Sequence, residues 1–366
     1  MLDYQNPSLL VQSNEVKPGS VAWRSPSNIA IIKYWGKYGV QLPRNPSISF
    51  TLNEAHTNTV VRYVPKKDNH HQVTLDFLFH GQPNDAFKAK IQKYFENLVE
   101  VFPFLRQLHF TIESNNSFPH SAGIASSASA MSALALCLCD VERQLFGALQ
   151  NEDEFLQKAS YLARLGSGSA CRSVYPKMAV WGESNAVEGS SDLYAVPFVE
   201  ELHPVFATYQ DTILLASRGE KSVSSRAGHG LMEGNIFAES RYEQARQNFR
   251  KLIEALKAGD VEMFGQIAEL EALTLHALMM SSNPPFILMK PNTLLLIEKI
   301  RAYRAETKQP LYFTLDAGPN LHLLYPESTK AEVLRFIESE LKPYCENGQY
   351  IEDRVGEGGV KLDVGY

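Results

Sequence analysis

The pattern of hydrophobic and polar positions changes period along the first half of the chain, which predicts strands and helices in mixed order. Alternating apolar and polar residues predict strands, whereas apolar residues spaced three or four apart predict helices. The predicted strands are two between 21 and about 61, separated by a glycine-punctuated loop, a hairpin arm at 71–82, and strands at 108–116, 177–182 and 192–198. The predicted helices are 85–102, about 129–149, and 152–166, the last with Gly166 as its C-terminal cap.

A second block of elements begins near residue 205 and sets the predicted domain boundary. Its predicted elements are a strand at 206–217, helices at about 235–257, at 261–280 and after Pro291, two strands around a tight turn at 311–326, and a final helix and strand. The chain has 366 residues, more than the roughly 250–300 at which a single core stops growing. We therefore expect two domains of α+β class, residues 1–204 and 205–366.

Composition and charge exclude several classes of protein. The formal net charge is -6, so the surface as a whole attracts neither nucleic acid nor an anionic membrane. No apolar run reaches the ~18 residues of a membrane span, and the N-terminus lacks the pattern of a signal peptide. The four cysteines have no zinc-binding spacing, and Cys137 and Cys139 lie in an apolar helical run. These features predict a core position for both cysteines and a reducing, cytoplasmic setting.

Residues 118–130 (FPHSAGIASSASA) have the most informative local chemistry. Small residues such as Gly123 and Ala125 let the backbone approach a ligand closely, and the start of the following helix offers N–H groups and a positive dipole end to a polyphosphate. The hydroxyls of Ser126, Ser127 and Ser129 can donate hydrogen bonds or bind a Mg²⁺ ion on the phosphates. Taken alone, a helix with small-residue packing explains the segment equally well, and the Walker pattern GxxxxGK[ST] is absent.

Four further segments accompany this serine loop. They are residues 25–37 (SPSNIAIIKYWGK), 165–173 (LGSGSACRS), 223–226 (VSSR) and 314–320 (TLDAGPN). Together with the serine loop, they resemble the diphosphomevalonate decarboxylase family of the GHMP kinase superfamily, in the right order and from about residue 20 to the C-terminus. NIAIIKYWGK is close to a family signature, and DAGPN is nearly as specific.

The resemblance implies a fold and a reaction. The N-terminal domain would resemble ribosomal protein S5 domain 2, the C-terminal domain would be a ferredoxin-like α/β sandwich, and the active site would lie in the cleft between them. ATP, with Mg²⁺, would phosphorylate the tertiary 3-hydroxyl of mevalonate 5-diphosphate. Phosphate would then leave together with CO₂ to give isopentenyl diphosphate. By analogy with relatives, we expect a homodimer.

The resemblance places Asp316 at the substrate alcohol. An aspartate with a pKa of about 3.9 cannot ionise a tertiary alcohol in advance. We expect Asp316 to orient the hydroxyl and to accept its proton late in phosphoryl transfer. Lys33 is expected near Asp316, where it would stabilise the ionised carboxylate or the transferred phosphoryl group. The alternative for Asp316 is a structural role in which it only caps its own turn. Ser127 is expected at the reacting phosphates.

Arg172, helped by Ser167 and Ser169, is the expected partner of the substrate carboxylate. A guanidinium fork matches a carboxylate with two hydrogen bonds, which a lysine cannot do. A surface ion pair is the alternative interpretation of Arg172.

The positions that match the family's diphosphate site are Tyr34, Lys37, Ser225 and Arg226. Lys221 is a weaker candidate because Glu220 lies beside it, and a solvated basic loop is the alternative for 218–226. Asn28 is expected at the nucleotide, and Trp35 is expected in the core.

One departure from the family pattern leaves the number of substrate phosphates open. The segment 38–46 after KYWGK is shorter and more neutral than in many family members. A phosphomevalonate decarboxylase and a GHMP-type kinase that stops after phosphorylation therefore remain as alternatives, although Asp316 together with Arg172 favours full decarboxylation. An RNA-binding module is disfavoured because the acidic chain has no basic stripe interleaved with aromatic residues.

Overall fold

The computed structural model describes residues 4–12, 16–66, 72–118, 124–217, 219 and 225–363. The first half contains strands β1 (Gly19–Ile32), β2 (Lys37–Tyr38), β3 (Leu42–Pro43), β4 (Ser47–Pro65), β5 (Thr74–Phe79), β6 (Gln82–Pro83), β7 (Leu108–Asn116), β8 (Met178–Trp181) and β9 (Ala195–Pro197). Its helices are α1 (Asp85–Asn97), α2 (Ser126–Phe146) and α3 (Glu152–Gly166), with 3₁₀ turns at Pro103–Arg106 and Gly168–Val174.

The second half alternates helices with the strands of a smaller sheet. Its helices are α4 (Pro204–Ala207), α5 (Ser225–Gly230), α6 (Ala238–Ala258), α7 (Val261–Met280), α8 (Pro291–Thr307) and α9 (Lys330–Phe336). Its strands are β10 (Gln210–Leu214), β11 (Tyr312–Thr314), β12 (Leu321–Tyr325), β13 (Tyr350–Arg354) and β14 (Val360–Lys361). Single turns of 3₁₀ or π type lie at Glu327–Thr329, Ile337–Leu341, Lys342–Tyr344 and Glu346–Gly348.

The larger sheet is organised around the long antiparallel pair β1 and β4. Its strand order is β14-β1-β4-β7-β5-β6, and β8 and β9 extend it from another part of β4. Gly19 lies opposite Tyr63 at one end of the pair, and Ile32 lies opposite Ile48 at the other. Because β1 is 14 residues long, its end lies far from the β14 pairing at Trp23 and Arg24, and it places Lys33 beside helix α7.

The second sheet is antiparallel in the order β11-β12-β10-β13, and the two halves of the chain share buried surface. Ile48 and Phe50 of β4 belong to the same buried cluster as Phe249 of α6 and Phe264 of α7. The last strand, β14, returns to pair with β1. The residues that follow β1 and β11 meet at the boundary between the halves, where Lys33 lies 2.9 Å from Asp316.

Most predicted elements are present, and the differences have local causes. The helix predicted at 85–102 ends at Asn97, where Leu98 leaves helical geometry, and Pro103 disfavours helix in the residue before it. Gly166 is the last helical residue of α3 and Ser167 is its extended cap, so the prediction that Gly166 is the cap was wrong. A Cβ on Gly166 would lie 2.2 Å from Met131 Cε, which explains the glycine by packing on α2.

Two further expectations concern burial. Cys137 and Cys139 are fully buried in the core, as predicted. Within the described parts of the chain, no helix combines the length and the apolar character that a bilayer-spanning helix requires.

Candidate active site

The central contact of the site joins the two halves of the chain. Lys33 follows β1 directly, and its Nζ lies 2.9 Å from Oδ1 of Asp316, which follows β11. Lys33 is 1% exposed, and its Nζ also donates to the Ala30 carbonyl at 2.7 Å. Burial lowers the pKa of Lys33, and the Asp316 carboxylate opposes this shift. The Asp316 side chain remains 26% exposed, so a fixed cation supports a carboxylate that a ligand can reach.

The turn that carries Asp316 is held through its backbone. The Asp316 carbonyl accepts a hydrogen bond from Gly318 N–H at 2.7 Å and another from Nε2 of the buried His276 at 3.1 Å. Thr293 of α8 donates to the Pro319 carbonyl at 2.7 Å. These contacts fix the position of residue 316 through the backbone of its turn, and none of them involves the Asp316 carboxylate.

Arg172 lies in the 3₁₀ turn Gly168–Val174 and is 1% exposed. Its Nε donates to Ser49 Oγ at 2.8 Å and its Nη1 donates to Ser47 Oγ at 2.6 Å, both on β4. Burial lowers the pKa of Arg172, while Cys171 and then Asp316 oppose the shift. Arg172 and Asp316 therefore lie within electrostatic range of each other, and Arg172 is an oriented, buried guanidinium rather than a surface ion pair.

Asn28 and Ser169 belong to the support of this turn. Asn28 Nδ2 donates to Ser173 Oγ at 2.8 Å and to the Ser169 carbonyl at 3.1 Å, and Asn28 is buried. Since both bonds go to the turn that carries Arg172, the structure gives Asn28 a bracing role there. The half-buried Ser169 contributes its carbonyl to that brace.

The serine loop meets the start of the Arg172 turn at Ser167. Ser127 is exposed, and its Oγ lies 3.2 Å from the Oγ of Ser167. Ala125 and Ser126 are half-buried beside it. Ser129, by contrast, is fully buried, with its Oγ 2.6 Å from Thr57 Oγ1. Ser129 therefore anchors the start of α2 to β4, whereas Ser126 and Ser127 lie on the accessible side.

The start of α2 has the features of a phosphate site. Within the described residues, no side chain caps this helix, and its first turn contains no acidic residue. The N–H groups of Ser126 and Ala128 already donate to the carbonyls of Ile124 and Ala125, so it is chiefly the positive end of the 21-residue helix that favours an anion here. Gly123, the remaining residue predicted for this loop, lies outside the described residues.

Tyr34 and Trp35 lie side by side after Lys33 but have different surroundings. The Tyr34 ring packs edge-on against Trp181, with centroids 4.6 Å apart. Its hydroxyl is buried and has no hydrogen-bond partner among the described residues, and burial raises the pKa of Tyr34. An orphaned buried hydroxyl fits a position that a ligand completes. Trp35 is 5% exposed and packs with Leu275 and Met279 of α7, which confirms the expectation that it is a core residue.

Of the remaining predicted diphosphate ligands, the structure describes the side chain of Lys37 only. Lys37 begins the β2–β3 hairpin, and its Nζ donates to Gln41 Oε1 at 2.8 Å. Ser225 and Arg226 form the start of α5, but their side chains, like Lys221 as a whole, lie outside the described part of the structure.

Sequence reasoning missed a buried acid that fixes Lys33. Glu271 of α7 accepts a hydrogen bond from the Lys33 N–H at 3.0 Å. It also forms an ion pair with Arg241 of α6 and accepts from Asn248 Nδ2 at 2.7 Å. The only signal in the sequence is an acidic residue inside an apolar helical stretch, LEALTLHALMM at 270–280. Ser47, Ser49 and His276 were missed for the same reason, since ordinary strand or helix residues give no local sign of a distant partner.

Metal-binding residues are not clustered in the described ranges: no three His, Cys, Asp or Glu side chains there converge on a common point. A Mg²⁺ ion bound to nucleotide phosphates needs few protein ligands and keeps several waters. The exposed Ser127 hydroxyl at the start of α2 is a suitable ligand of this kind.

Comparison with known proteins agrees with this geometry. The family model "Diphosphomevalonate decarboxylase-like N-terminal domain" matches residues 25–195, and "Mevalonate 5-diphosphate decarboxylase C-terminal domain" matches residues 212–360. Diphosphomevalonate decarboxylase from Debaryomyces hansenii is 28% identical over 325 residues, which cover 86% of this chain and 81% of the relative.

Solved structures extend the similarity to the whole fold. Mevalonate diphosphate decarboxylase from Staphylococcus aureus is 29% identical, with a TM-score of 0.80 over 95% of this chain and 99% of that chain. MDDEF, solved in complex with MVAPP, AMPPCP and magnesium, is 28% identical, with a TM-score of 0.78 over 95% of this chain and 100% of that chain. The expected α+β GHMP fold is thereby confirmed. With both family models matched in order and the Lys33–Asp316 contact at the seam between them, this chain belongs to the diphosphomevalonate decarboxylase family of the GHMP kinase superfamily.

Proposed function

We infer that this protein catalyses the ATP-dependent decarboxylation of mevalonate 5-diphosphate, with release of isopentenyl diphosphate, ADP, phosphate and CO₂. The observation that carries this conclusion is the buried Lys33 bonded at 2.9 Å to an accessible Asp316, within electrostatic range of the buried Arg172. The substrate has a tertiary alcohol and a carboxylate, and the site offers the Asp316 carboxylate together with a guanidinium whose pKa that carboxylate influences.

The first step concerns the tertiary alcohol. The Asp316 carboxylate accepts the hydrogen bond of the 3-hydroxyl and orients its oxygen toward the terminal phosphoryl group of ATP. The proton passes to Asp316 late, as the new O–P bond forms through a loose transition state. The Lys33 ammonium compensates the carboxylate charge before this transfer and lies beside the transferred phosphoryl group during it.

The second step concerns the carboxylate. Ser47 and Ser49 hold the Arg172 guanidinium in one orientation, so it can bind the substrate carboxylate in a fixed direction. When phosphate leaves C3, the electron pair of the bond to the carboxylate forms the new carbon–carbon double bond, and CO₂ departs. A buried site favours this loss of charge because it contains little water to stabilise the carboxylate.

The start of α2 suits the nucleotide. We propose that Ser126, Ser127 and the backbone of Gly123 and Ala125 bind the ATP phosphates, with Ser127 also on Mg²⁺. Bound there, Mg²⁺ would neutralise phosphate charge during transfer. Ser129 and Asn28 belong to this proposal as supports of the loop and of the Arg172 turn. The MDDEF complex, with its AMPPCP and magnesium, supports nucleotide and magnesium binding in this fold.

The substrate diphosphate would lie between the two halves. We propose that Tyr34 and Lys37 bind it from the first half, that Ser225 and Arg226 bind it from α5, and that Ser167 and Ser169 line the carboxylate end. Charge-assisted hydrogen bonds of this kind contribute roughly 1.5–3 kcal/mol each, so a few of them are enough to recognise a remote group.

We also propose that residues 1–204 and 205–366 act as the two domains of a cytoplasmic homodimer. Four buried cysteines, none in a disulfide, suit a reducing compartment. Large exposed apolar side chains lie on α7, on α8 and in the connection between them: Leu270, Met280, Ile287, Leu294 and Leu295. If they form the subunit interface, Leu294→Glu will give a monomer by sedimentation equilibrium, whereas the control Val64→Glu, an exposed strand residue, will leave the dimer intact.

The decisive experiment measures two products at once. The purified protein is incubated with ATP, Mg²⁺ and mevalonate 5-diphosphate carrying ¹⁴C in its carboxyl group, and ADP and ¹⁴CO₂ are counted. Equal yields are expected, and ADP without CO₂ would instead identify a kinase. Parallel assays with phosphomevalonate decide the phosphate count, since a higher kcat/KM for that substrate would overturn the diphosphate assignment.

A further inference from the structure

We propose that His229 is a positioning residue that holds helix α5 on residues 34–37 and thereby joins the two sides of the substrate-diphosphate site. This inference rests on the proposed function. It concerns a residue that touches neither the reacting atoms nor, in this interpretation, the phosphates.

The imidazole of His229 lies against two aromatic rings of the first half of the chain. Its centroid is 4.4 Å from that of Tyr34 and 4.6 Å from that of Trp35, with interplanar angles of 41° and 33°. The contact therefore joins α5 directly to the segment in which Tyr34 and Lys37 are expected to bind the diphosphate.

A backbone hydrogen bond sets the orientation of the ring. Gly36 N–H donates to His229 Nδ1 at 3.0 Å. Because Nδ1 is the acceptor, a neutral ring carries its proton on Nε2. Burial, with a smaller effect of the Lys37 charge, lowers the pKa of His229 to about 3, so the ring is neutral at physiological pH. A protonated ring would lose this acceptor and would bring a second cation close to Lys37.

The neighbouring glycines show how closely the two segments approach. A Cβ on Gly228 would lie 2.5 Å from Trp35 Cζ2, and a Cβ on Gly36 would lie 2.1 Å from the Tyr242 hydroxyl of α6. The Gly36 backbone, at a φ of +96°, therefore lies between His229 and Tyr242. A side chain at either glycine would push the two packed segments apart. Between α5 and residues 34–37, His229 supplies the hydrogen bond.

Helix α5 carries the predicted diphosphate ligands of the second half. This helix begins with Ser225 and Arg226 and includes His229 one turn later. On the other side of the contact, Lys37 follows Gly36 directly. His229 therefore sets the distance between the diphosphate ligands of the two halves, whereas Asp316, Arg172 and the α2 terminus are positioned by other contacts.

The kinetic test compares His229→Ala with His229→Asn, whose side-chain oxygen can replace Nδ1 as the acceptor. In His229→Ala we expect KM for mevalonate 5-diphosphate to rise about tenfold, the equivalent of roughly one hydrogen bond and its packing. We expect kcat and KM for ATP to change by less than about twofold on the same reasoning. His229→Asn should recover most of the loss, and His203→Ala, at an exposed histidine near the boundary between the halves, should behave like the wild type.

A second measurement does not depend on the substrate. Hydrogen exchange followed by mass spectrometry should show faster exchange of the peptide containing Gly36 in His229→Ala than in the wild type, with His229→Asn between them. An unchanged KM or unchanged exchange in His229→Ala would refute the positioning role. Absence of turnover in the wild-type protein would instead refute the proposed function, and the exchange result would still decide the role of His229.

Discussion

Glu271 accepts a hydrogen bond from the Lys33 N–H at 3.0 Å, although the two residues lie in different halves of the chain. Lys33 is thus held twice from the second half, through its backbone by Glu271 and through its Nζ by Asp316. Because Glu271 also binds Arg241 and Asn248, α6 and α7 determine where β1 ends. The Lys33–Asp316 contact is therefore part of the packing between the halves rather than a feature of one loop.

Replacing Asp316 tests its role at the alcohol. We expect Asp316→Asn to lower kcat by about 10²- to 10⁴-fold, because an amide cannot accept the proton of the hydroxyl. Nucleotide binding, measured by isothermal titration calorimetry, should stay near the wild-type value. The control is Asp76→Asn on the distant strand β5, which removes an exposed carboxylate that pairs with Lys88 of α1. Near-normal turnover of Asp316→Asn would contradict the assignment.

Arg172 is expected to be intolerant of lysine. A lysine ammonium cannot bond Ser47 and Ser49 and also present a fork to the substrate carboxylate. We predict that Arg172→Lys lowers kcat/KM by roughly 10²-fold, consistent with loss of a bidentate charged contact. The release of CO₂ relative to ADP should be measured as well, since a lower ratio would locate the defect in the decarboxylation step.

The matched control is Arg62→Lys on the exposed face of β4, where Arg62 pairs with Glu113. It should leave both kinetic constants unchanged. If Arg172→Lys behaved like this control, the guanidinium would not be needed for the carboxylate.

Removing the charge of Glu271 should destabilise the fold. Glu271 is fully buried, and Glu271→Gln would leave the buried Arg241 guanidinium without its counter-ion. We expect the free energy of unfolding to fall by about 3–5 kcal/mol, as for other broken buried pairs, measured by urea denaturation followed by circular dichroism. Glu113→Gln, which breaks the exposed pair with Arg62, should have a much smaller effect because water screens that pair. Equal effects of the two changes would show that the Glu271 network does not hold the seam.

Stability should depend on pH through His229. Its pKa falls from 6.5 in the unfolded chain to about 3 in the folded protein, because burial and, less strongly, the Lys37 charge disfavour the imidazolium. Between these values the unfolded state binds a proton that the folded state does not, so the free energy of unfolding rises with pH and levels off above 6.5. Lowering the pH from 7.5 toward 4 should therefore destabilise the wild type more than His229→Asn, whose side chain does not titrate.

Urea midpoints at pH 7.5, 6 and 5 check this prediction. Among the described residues, Tyr34 packs on the imidazole and the Lys37 charge acts on its pKa. Both residues are the same in the two proteins, so the difference between their pH profiles isolates the histidine. Parallel pH profiles for the wild type and His229→Asn would contradict it.

Several features of the site could be predicted before any coordinates. The segments around Lys33 and Asp316 predicted that these residues lie together, and the 2.9 Å contact confirms it. The helix after the serine loop and the core position of Trp35 were also predicted, since apolar spacing and motif identity are visible locally. The nucleotide contacts expected of Asn28 and Ser129 stay predictions. Their protein partners, Ser173 on the Arg172 turn for Asn28 and Thr57 for Ser129, are contacts that the sequence did not indicate.

The amino-acid sequence by itself determined the family, the order of strands and helices, and the chemical groups available for the reaction, because periodicity and short motifs depend on residues close together in the chain. Only the tertiary structure decided which groups are oriented and by what. Ser47 and Ser49 hold Arg172, Glu271 holds Lys33, and His229 lies on Tyr34 and Trp35. Each of these partners comes from a distant part of the chain, and the direction of a buried hydrogen bond depends on how β1, β4, α5 and α7 pack together. That packing is a collective property of both halves, which no local pattern encodes.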